Sequence, residues 1–169
     1  MLDMTIFKEV MGQFPTGVAV ITCDDGKGGI VGFTASSFTS VSVDPALVLF
    51  CPQYNSDSYP YLESQERFAV HILEENQKNI AYAFASKGEN KAKGVGYHIS
   101  DRDIPILDDY LAVMECILYK NYEGGDHAIV VGEVIHVDVS RANKRLPMVY
   151  CRGKMGGFSS VEEQLTIVQ

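Results

Sequence analysis

Residues 32–51 read GFTASSFTSVSVDPALVLFC, and this stretch decides the fold of the chain. Its alternating residues 38–43 predict a β-strand, because successive strand side chains point to opposite faces. Asp44-Pro45 ends that strand, since proline lacks the N–H that a central strand needs, and residues 46–51 then predict a second, fully apolar strand. The hydroxyl-rich start of the stretch is unusual for a core element. Hydroxyls beside free backbone N–H groups suit a polar, planar ligand with many acceptors.

The composition predicts a single globular domain. A chain of 169 residues can bury one sizeable core, and its apolar content of 46% is ordinary for a soluble domain. The formal charge of −8 argues against a broad nucleic-acid-binding surface. Membrane association is not expected either, because no apolar run approaches the roughly 18 residues of a membrane span. We therefore expect one domain over residues 1–169 with a short polar tail from about residue 159, and the sequence start does not resemble a signal peptide.

The cysteines predict buried free thiols in a reducing cytoplasm. Cys23, Cys51, Cys116 and Cys151 are widely spread and form no C-x-x-C pair, which argues against a zinc or iron–sulfur site, and no metal is expected. Each lies in or beside an apolar run, as a buried thiol would.

The rest of the chain predicts many strands and few helices. Asp3 caps a predicted first helix that Pro15 ends, a short helix is expected near residues 58–62, and residues 74–86 predict another. Further strands are predicted at residues 18–23, 30–33, 67–73, 111–122, 128–139 and 147–152. Because most links are hairpins, the pattern favours a mainly β, antiparallel barrel over a βαβ sheet.

The chain lacks the motifs of several common catalytic sites. It has no G-x-x-x-x-G-K-[ST] phosphate loop and no H-E-x-x-H zinc motif. Its glycine clusters do not spell G-x-G-x-x-G between a strand and a helix, which argues against a Rossmann dinucleotide site. A G-x-S-x-G nucleophile elbow is also absent.

A lysine-rich loop at residues 87–96 has two interpretations. Lys87, Lys91 and Lys93 face only Glu89 there, a local excess of positive charge in an acidic protein. The loop could hold a phosphate, with ammonium groups beside glycines that let backbone N–H groups approach. It could equally be a solvated loop, which is what most charge runs are, and the charge pattern alone favours that interpretation.

Two further segments carry candidate side chains. Residues 125–127 (GDH) form the predicted tip of the longest hairpin, where His127 could meet a substrate or belong to an ordinary turn. Arg152 and Lys154 follow the last predicted strand and could bind an anion, or could protect an edge strand from aggregation. The other histidines, His71, His98 and His136, are interpreted as structural or surface residues.

The order of these segments resembles the flavin reductase-like family of FMN-binding split barrels. Within it, the chain is most similar to the small NAD(P)H:flavin oxidoreductase components of two-component monooxygenases. The resemblance covers nearly the whole chain, and the combination of GFTASSFTSVS with GDH at the right distance is specific. The matching segments are FPTGVAVIT (14–22), GFTASSFTSVSVDPALVLF (32–50), FAVHIL (68–73), GDHAIVVGEV (125–134) and PMVYCRGKMGGF (147–158).

The resemblance implies a fold and a set of binding residues. The fold would be a six-stranded antiparallel split β-barrel of Greek-key type with a few peripheral helices, forming a homodimer with flavin near the dimer interface. His127 would lie beside the nicotinamide as the catalytic residue, with Tyr150 and Arg152 near the same substrate pocket. The implied cofactor-binding residues are Thr34, Ala35, Ser36, Ser37, Cys51, Asn55, Ser56, Ser86, Lys87 and Lys93.

The implied activity is hydride transfer from NADH or NADPH to FMN or FAD. The reduced flavin would then pass to a partner monooxygenase or another acceptor, and the protein would supply position and hydrogen bonds rather than an acid or base. An alternative is an electron carrier that keeps its FMN and passes electrons to a protein partner. A non-enzymatic barrel would bind no flavin at all.

Overall fold

The structure is mainly β, and its described residues form three short helices and twelve strands. The computed structural model describes residues 2–88, 91–141 and 145–159. The helices are α1 (Met4–Gly12), α2 (Tyr59–Ser64) and α3 (Lys78–Ala85). The strands are β1 (Thr16–Gly17), β2 (Ala19–Asp24), β3 (Ile30–Ala35), β4 (Thr39–Val43), β5 (Ala46–Phe50), β6 (Arg67–Ile72), β7 (Tyr97–Ile99), β8 (Pro105–Leu107), β9 (Ala112–Gly124), β10 (His127–Val139), β11 (Met148–Cys151) and β12 (Lys154–Gly157).

The main sheet is antiparallel and has seven strands in the order β3-β2-β6-β9-β10-β5-β4. Its edge strands β3 and β4 are consecutive in sequence, joined by residues 36–38. Among the described residues these two strands are not paired, so the sheet is open in its hydrogen bonding. The prediction of a mainly antiparallel β fold with few helices is confirmed. The main sheet has seven hydrogen-bonded strands, and the six-stranded split barrel stays a prediction.

The hairpin of β9 and β10 is the longest pairing in the molecule, as the sequence predicted. Its register runs from His127 opposite Gly124 to Val139 opposite Ala112, with two shifts along the way. A smaller irregularity interrupts β4, where Ser40 and Ser42 pair with β5 and Val41 is the extra residue. This bulge breaks the strict alternation that the sequence predicted for residues 38–43.

Two small sheets flank the main one. The strands β1, β11 and β12 form the first, and β7 pairs with β8 in the second. The sequence predicted β11 but missed β12, which follows a turn in which Arg152 and Gly153 have φ of 51° and 75°. A glycine at such a position takes positive φ without steric cost, which permits the tight hairpin.

The core is centred on the inner face of the main sheet. Phe50 and Phe68 are fully buried there and meet edge to face, with ring centroids 5.2 Å apart. A second buried cluster lies under α3, where Ala81 and Phe84 pack on Val20 and Leu73. Packing against this cluster fixes the end of α3 next to strand β3, which positions one wall of the site.

The first helix begins where the sequence predicted. The Asp3 side chain accepts hydrogen bonds from the backbone N–H groups of Thr5 and Ile6, as an N-cap residue should. None of its residues is buried in the single chain, and Ile6, Val10 and Met11 are all more than half exposed. The helix therefore presents an apolar face that the described residues of one chain do not cover.

The cysteine prediction is confirmed in part. All four are free, and Cys23 and Cys116 are buried. Burial raises the pKa of each of these two thiols to about 12. Cys51 and Cys151 are only half-buried, so the expectation of burial is wrong for them, because both lie at strand ends rather than within the sheet.

In the described segments, no helix has the length and apolarity that crossing a bilayer would need. The predicted polar tail from about residue 159 lies almost wholly outside the described residues, as does Glu89 of the lysine-rich loop.

Candidate functional site

A cleft of about 340 Å³ opens where the edge strand β3 leaves the main sheet. Seven of the residues predicted for the site line it, although they come from three separate parts of the sequence. The full lining consists of Phe33, Thr34, Ala35, Ser36, Ser37, Cys51, Pro52, Gln53, Ser56, Phe84, Ala85 and His127. The fold therefore brings together the hydroxyl-rich segment, the end of β5 and the tip of the long hairpin.

In the hydroxyl-rich segment, two side-chain hydroxyls make structural hydrogen bonds, while two backbone N–H groups remain available in the cleft. The Thr34 hydroxyl donates to the carbonyl of Ala81 at 2.6 Å and so ties β3 to α3. The Ser37 hydroxyl accepts from the backbone N–H of Cys51 at 2.9 Å and so holds the end of β5. Within the described chain, the backbone N–H groups of Ser36 and Ser37 have no partner. These exposed donors fit a ring system that carries several acceptors, as a flavin does.

The histidine at the hairpin tip is oriented by its neighbour. Its Nδ1 lies 2.7 Å from Oδ1 of Asp126, and since a carboxylate only accepts, Nδ1 carries the proton. The hydrogen bond to His127 lowers the pKa of the Asp126 carboxyl. The imidazole is one-third exposed and its Nε2 is left for a ligand in the cleft.

Backbone hydrogen bonds hold the hairpin tip against the floor of the cleft. The N–H of Ala128 donates to the carbonyl of Pro52 at 3.0 Å, and the N–H of Tyr54 donates to the carbonyl of Asp126 at 3.2 Å. Gln53 and His127 form an isolated β-bridge between these two bonds. The position of His127 is therefore set by the main chain rather than by a flexible loop.

Burial shapes the electrostatics of two groups at or near the cleft. The pKa of the Cys51 thiol is raised by burial, and the Ser37 hydrogen bond opposes part of that rise. The pKa of Lys91 is lowered by burial and raised by the nearby Asp57 carboxylate. At neutral pH Cys51 is thus a neutral thiol in the wall rather than a thiolate nucleophile.

Of the residues predicted for the phosphate, Ser56 lines the cleft, whereas Asn55, Ser86, Lys87 and Lys93 are not in its lining. Asn55 is exposed on the loop beside Ser56, and Ser86 follows α3 with its hydroxyl donating to the carbonyl of Ala83. Lys87 and Lys93 are exposed. Lys91 is different, because its side chain is only 9% exposed and its Nζ lies 3.3 Å from the Ser58 hydroxyl.

Tyr150 and Arg152 do not line the cleft of a single chain. Tyr150 lies in β11, opposite Thr16 of β1. Arg152 forms the turn after β11, where its N–H donates to the carbonyl of Gly12 at 3.0 Å. Their predicted contact with the nicotinamide therefore stays a prediction.

Comparison with known proteins identifies the family. The sequence profile of the flavin reductase like domain matches residues 11–159, which is most of the chain. The chain belongs to this family. The resemblance inferred from the hydroxyl-rich stretch and the GDH tip is thereby confirmed.

Several relatives of this flavin reductase-like chain carry functional names. A flavin reductase of Pseudomonas putida is 39% identical over 160 residues, covering 95% of this chain and 93% of the relative. The reductase subunit HsaB of a flavin-dependent monooxygenase from Mycobacterium tuberculosis is 38% identical over 159 residues, covering 93% and 83% respectively. The chain is thus similar over nearly its whole length to proteins named for flavin reduction.

Solved structures of relatives share the fold. A homologue of nitrilotriacetate monooxygenase component B from Mycobacterium thermoresistibile has a TM-score of 0.88 and 38% identity, covering 93% of this chain and 87% of its own. The NADH:FAD oxidoreductase SgcE6 of Streptomyces globisporus, in complex with NAD and FAD fragments, has a TM-score of 0.86 and 34% identity, covering 94% of both chains.

Five lining residues of the reductase-like cleft were not predicted as site residues: Phe33, Pro52, Gln53, Phe84 and Ala85. The helical spacing of residues 74–86 predicted a buried face that includes Phe84, and this was the available signal for the α3 wall. Pro52 and Gln53 gave no signal of their own, because their place in the site depends on main-chain bonds to a hairpin more than 70 residues away.

Proposed function

We propose that this chain is an NAD(P)H:flavin oxidoreductase that reduces FMN or FAD with a nicotinamide cofactor. The observation that carries the proposal is the single cleft that gathers the free N–H groups of Ser36 and Ser37 with His127. Membership of the flavin reductase like domain family and full-length similarity to proteins named flavin reductase support it. A relative from Agrobacterium fabrum is named an FMN reductase that uses NADH, and SgcE6 is named for NADH and FAD.

The cleft residues would hold the flavin and orient the hydride donor. The segment Thr34, Ala35, Ser36 and Ser37, with Cys51, would face the ring and ribityl chain. Asn55, Ser56, Ser86, Lys87 and Lys93 would face the phosphate. When bound, the flavin supplies the hydride acceptor, which no side chain of the protein could replace.

His127 would act by binding rather than by proton transfer. With Nδ1–H held by Asp126, the lone pair of Nε2 can accept a hydrogen bond from a carboxamide such as that of nicotinamide. Such a bond would align the donor over the cleft, and alignment accounts for a large part of the rate of a two-substrate transfer. Tyr150 and Arg152 would complete the nicotinamide pocket.

The assembly would be a homodimer with a six-stranded split barrel in each subunit. Large apolar side chains are exposed on α1, β9 and β10, among them Ile6, Val10, Tyr119 and Val137. Ile6 and Val10 lie one helical turn apart on α1, and an exposed apolar helix face is typical of an interaction surface, which supports a second copy covering it. Names of relatives that are reductase subunits of monooxygenases support a monooxygenase as the acceptor of the reduced flavin. The four free cysteines support a location in the reducing cytoplasm.

Steady-state kinetics test the activity. The purified protein should oxidise NADH or NADPH only when FMN or FAD is added, with the loss of nicotinamide absorbance as the measurement. The His127→Ala variant should raise the KM for the nicotinamide, whereas His98→Ala, at an exposed histidine outside the cleft, should not. A protein with no flavin-dependent oxidation of either nicotinamide is not a reductase. A yellow protein that retains FMN but turns over slowly would instead be an electron carrier.

A further inference from the structure

A hydrogen bond of Asp57 joins the two loops that carry the residues proposed for the flavin phosphate. One loop precedes α2 and carries Ser56, and the other follows α3 and carries Ser86 and Lys87. Oδ2 of Asp57 accepts from the backbone N–H of Gly88 at 2.7 Å, across 31 positions of the sequence. Because the acceptor is an ionised carboxylate, this bond is stronger than one between neutral groups.

The other polar contacts between these loops lie further along the second loop. Within the described ranges there are two, since Nζ of Lys91 lies 3.3 Å from the Ser58 hydroxyl and 3.9 Å from Oδ2 of Asp57. Ser58 is buried, and its hydroxyl donates to the carbonyl of Gly32 in β3 at 2.5 Å. Lys91 thus anchors its own part of the loop to β3, whereas Asp57 alone bonds to the start of the loop.

The donor of the Asp57 bond lies at a turn that glycine adopts more easily than other residues. Gly88 has φ of 104°, a value that a side chain with a Cβ disfavours. The exposed Lys87 leads directly into this turn, and Ser86 precedes it. The path of the backbone at both residues therefore depends on where the turn is held.

Asp57 itself is placed beside the site rather than in it. Ser56 lines the cleft, whereas Asp57 does not, and the Asp57 side chain is 44% exposed. A carboxylate near a bound phosphate repels it, because the two charges have the same sign. The charge of Asp57 alone would therefore weaken the binding of FMN, and a favourable role has to come from its hydrogen bond.

We propose that Asp57 is a positioning residue for the flavin phosphate, holding the start of the lysine-rich loop through its bond to Gly88 before the flavin binds. The inference rests on the proposed function and deepens it. Without this bond, only a fraction of the molecules has the loop in the binding arrangement, and the apparent affinity falls by that fraction. Riboflavin lacks the phosphate, so its binding does not need this arrangement.

Fluorescence titration of the full-length protein with FMN and with riboflavin tests the role of Asp57. Asp57→Ala and Asp57→Asn remove the same negative charge, but only the asparagine keeps a side-chain oxygen that can accept from Gly88. Asp57→Ala should raise the Kd for FMN about fivefold and leave the Kd for riboflavin unchanged. Asp57→Asn should bind FMN at least as tightly as the wild type, because it keeps the bond and loses the repulsion.

The matched control is Asp24→Ala. The Asp24 carboxylate also accepts from the N–H of a glycine with positive φ, Gly26, but it does so within its own turn, outside the cleft. Its loss should leave the Kd of both flavins unchanged, and circular dichroism checks the folding of every variant.

Three results would overturn the positioning role of Asp57. Asp57→Ala could bind FMN as tightly as the wild type or more tightly, which would mean that the carboxylate acts only by its charge. It could lose affinity for FMN and riboflavin equally, which would indicate a general effect on the fold. Asp57→Asn could bind FMN as weakly as Asp57→Ala, which would mean that the bond to Gly88 has no part in binding.

The same titrations separate this inference from the proposed function. A wild type that oxidises a nicotinamide with FMN, and whose Asp57→Ala variant binds FMN unchanged, rejects the positioning role alone. A protein that shows the expected difference between the two Asp57 variants, but has no flavin-dependent oxidation, keeps the positioning role and rejects the reductase activity. A wild type that binds neither flavin rejects both.

Discussion

At the scale of single residues, Asp126 has the clearest role that a substitution can test. Asp126→Ala removes the acceptor that fixes His127, so we expect the KM for the nicotinamide to rise roughly tenfold while flavin binding is retained. Asp126→Asn keeps an acceptor oxygen and should restore most of the affinity. Steady-state kinetics with both nicotinamides provide the measurement.

The control for that prediction lies on the same hairpin. Glu123 is another exposed carboxylate near the tip, with no hydrogen bond to His127, and Glu123→Ala should change the KM little. If Asp126→Ala has the same KM for the nicotinamide as the wild type, the orientation of His127 does not depend on Asp126.

His71 makes stability depend on pH. Its Nδ1 donates to the carbonyl of Val20 and its Nε2 accepts from the N–H of Leu107, so only the neutral ring fits. Burial lowers its pKa to about 4, below the ordinary value of 6.5. The unfolded chain therefore binds a proton first as the pH falls, and stability that is complete above pH 6.5 is lost toward pH 4.

Chemical denaturation at several pH values measures this loss. The wild type should lose about 3 kcal/mol of unfolding free energy between pH 7.5 and 4 through this residue. His71→Gln should be less stable at neutral pH and should show a shallower dependence on pH. His136→Gln, at a partly exposed histidine, is the control and should keep the wild-type slope. Equal slopes in all three proteins would contradict the role of His71.

At the scale of elements, the contact of α3 with β3 depends on a glycine. A Cβ on Gly32 would meet the carbonyl of Ile21 and lie 3.2 Å from the Phe84 ring. Because backbone cannot give way, Gly32→Ala should destabilise the protein by about 1–3 kcal/mol and weaken flavin binding by moving the α3 wall.

Thermal unfolding and flavin titration measure the two effects. Gly156→Ala in β12 is the matched control, because nothing lies within 4 Å of its added Cβ. It should change stability by less than about 0.5 kcal/mol. If Gly32→Ala is as stable as the control, β3 and α3 can move apart without a loss of unfolding free energy, and the prediction is wrong.

Most elements could be predicted from the sequence because their signals are local. The alternation of β9 and β10, the apolar run of β5 and the Asp3 cap each report directly on backbone structure. The strands β7 and β8 were missed, since each has only three residues and its pairing joins segments with little periodicity. The part of the site formed by Thr34, Ser36 and Ser37 was also predictable, because these residues are neighbours in the sequence. The sequence could not predict that Lys91, unlike Lys87 and Lys93, is nearly buried, because its burial depends on contacts with Ser58 and Asp57 far away in sequence.

At the scale of the whole molecule, the uncovered apolar surface predicts association. If α1 meets a second copy, Ile6→Glu would place a charge in the contact and should raise the dimer dissociation constant at least about tenfold. Lys8→Glu, two residues away on the other side of the same helix, should not. Sedimentation velocity across a concentration series gives the measurement, with circular dichroism to check folding. A wild type that sediments as a monomer at all concentrations would refute the dimer.

The three residues 36–38 connect the two edges of the open sheet, and two of them, Ser36 and Ser37, also form part of the cleft wall. A molecule held there touches the short, direct connection between the outermost strands. Its arrival should therefore slow amide hydrogen exchange along both β3 and β4, including at positions it never contacts. The two edge strands would then report whether the cleft is occupied. A spectroscopic label at Val43, which is exposed at the end of β4 and does not line the cleft, should change its signal when a ligand binds.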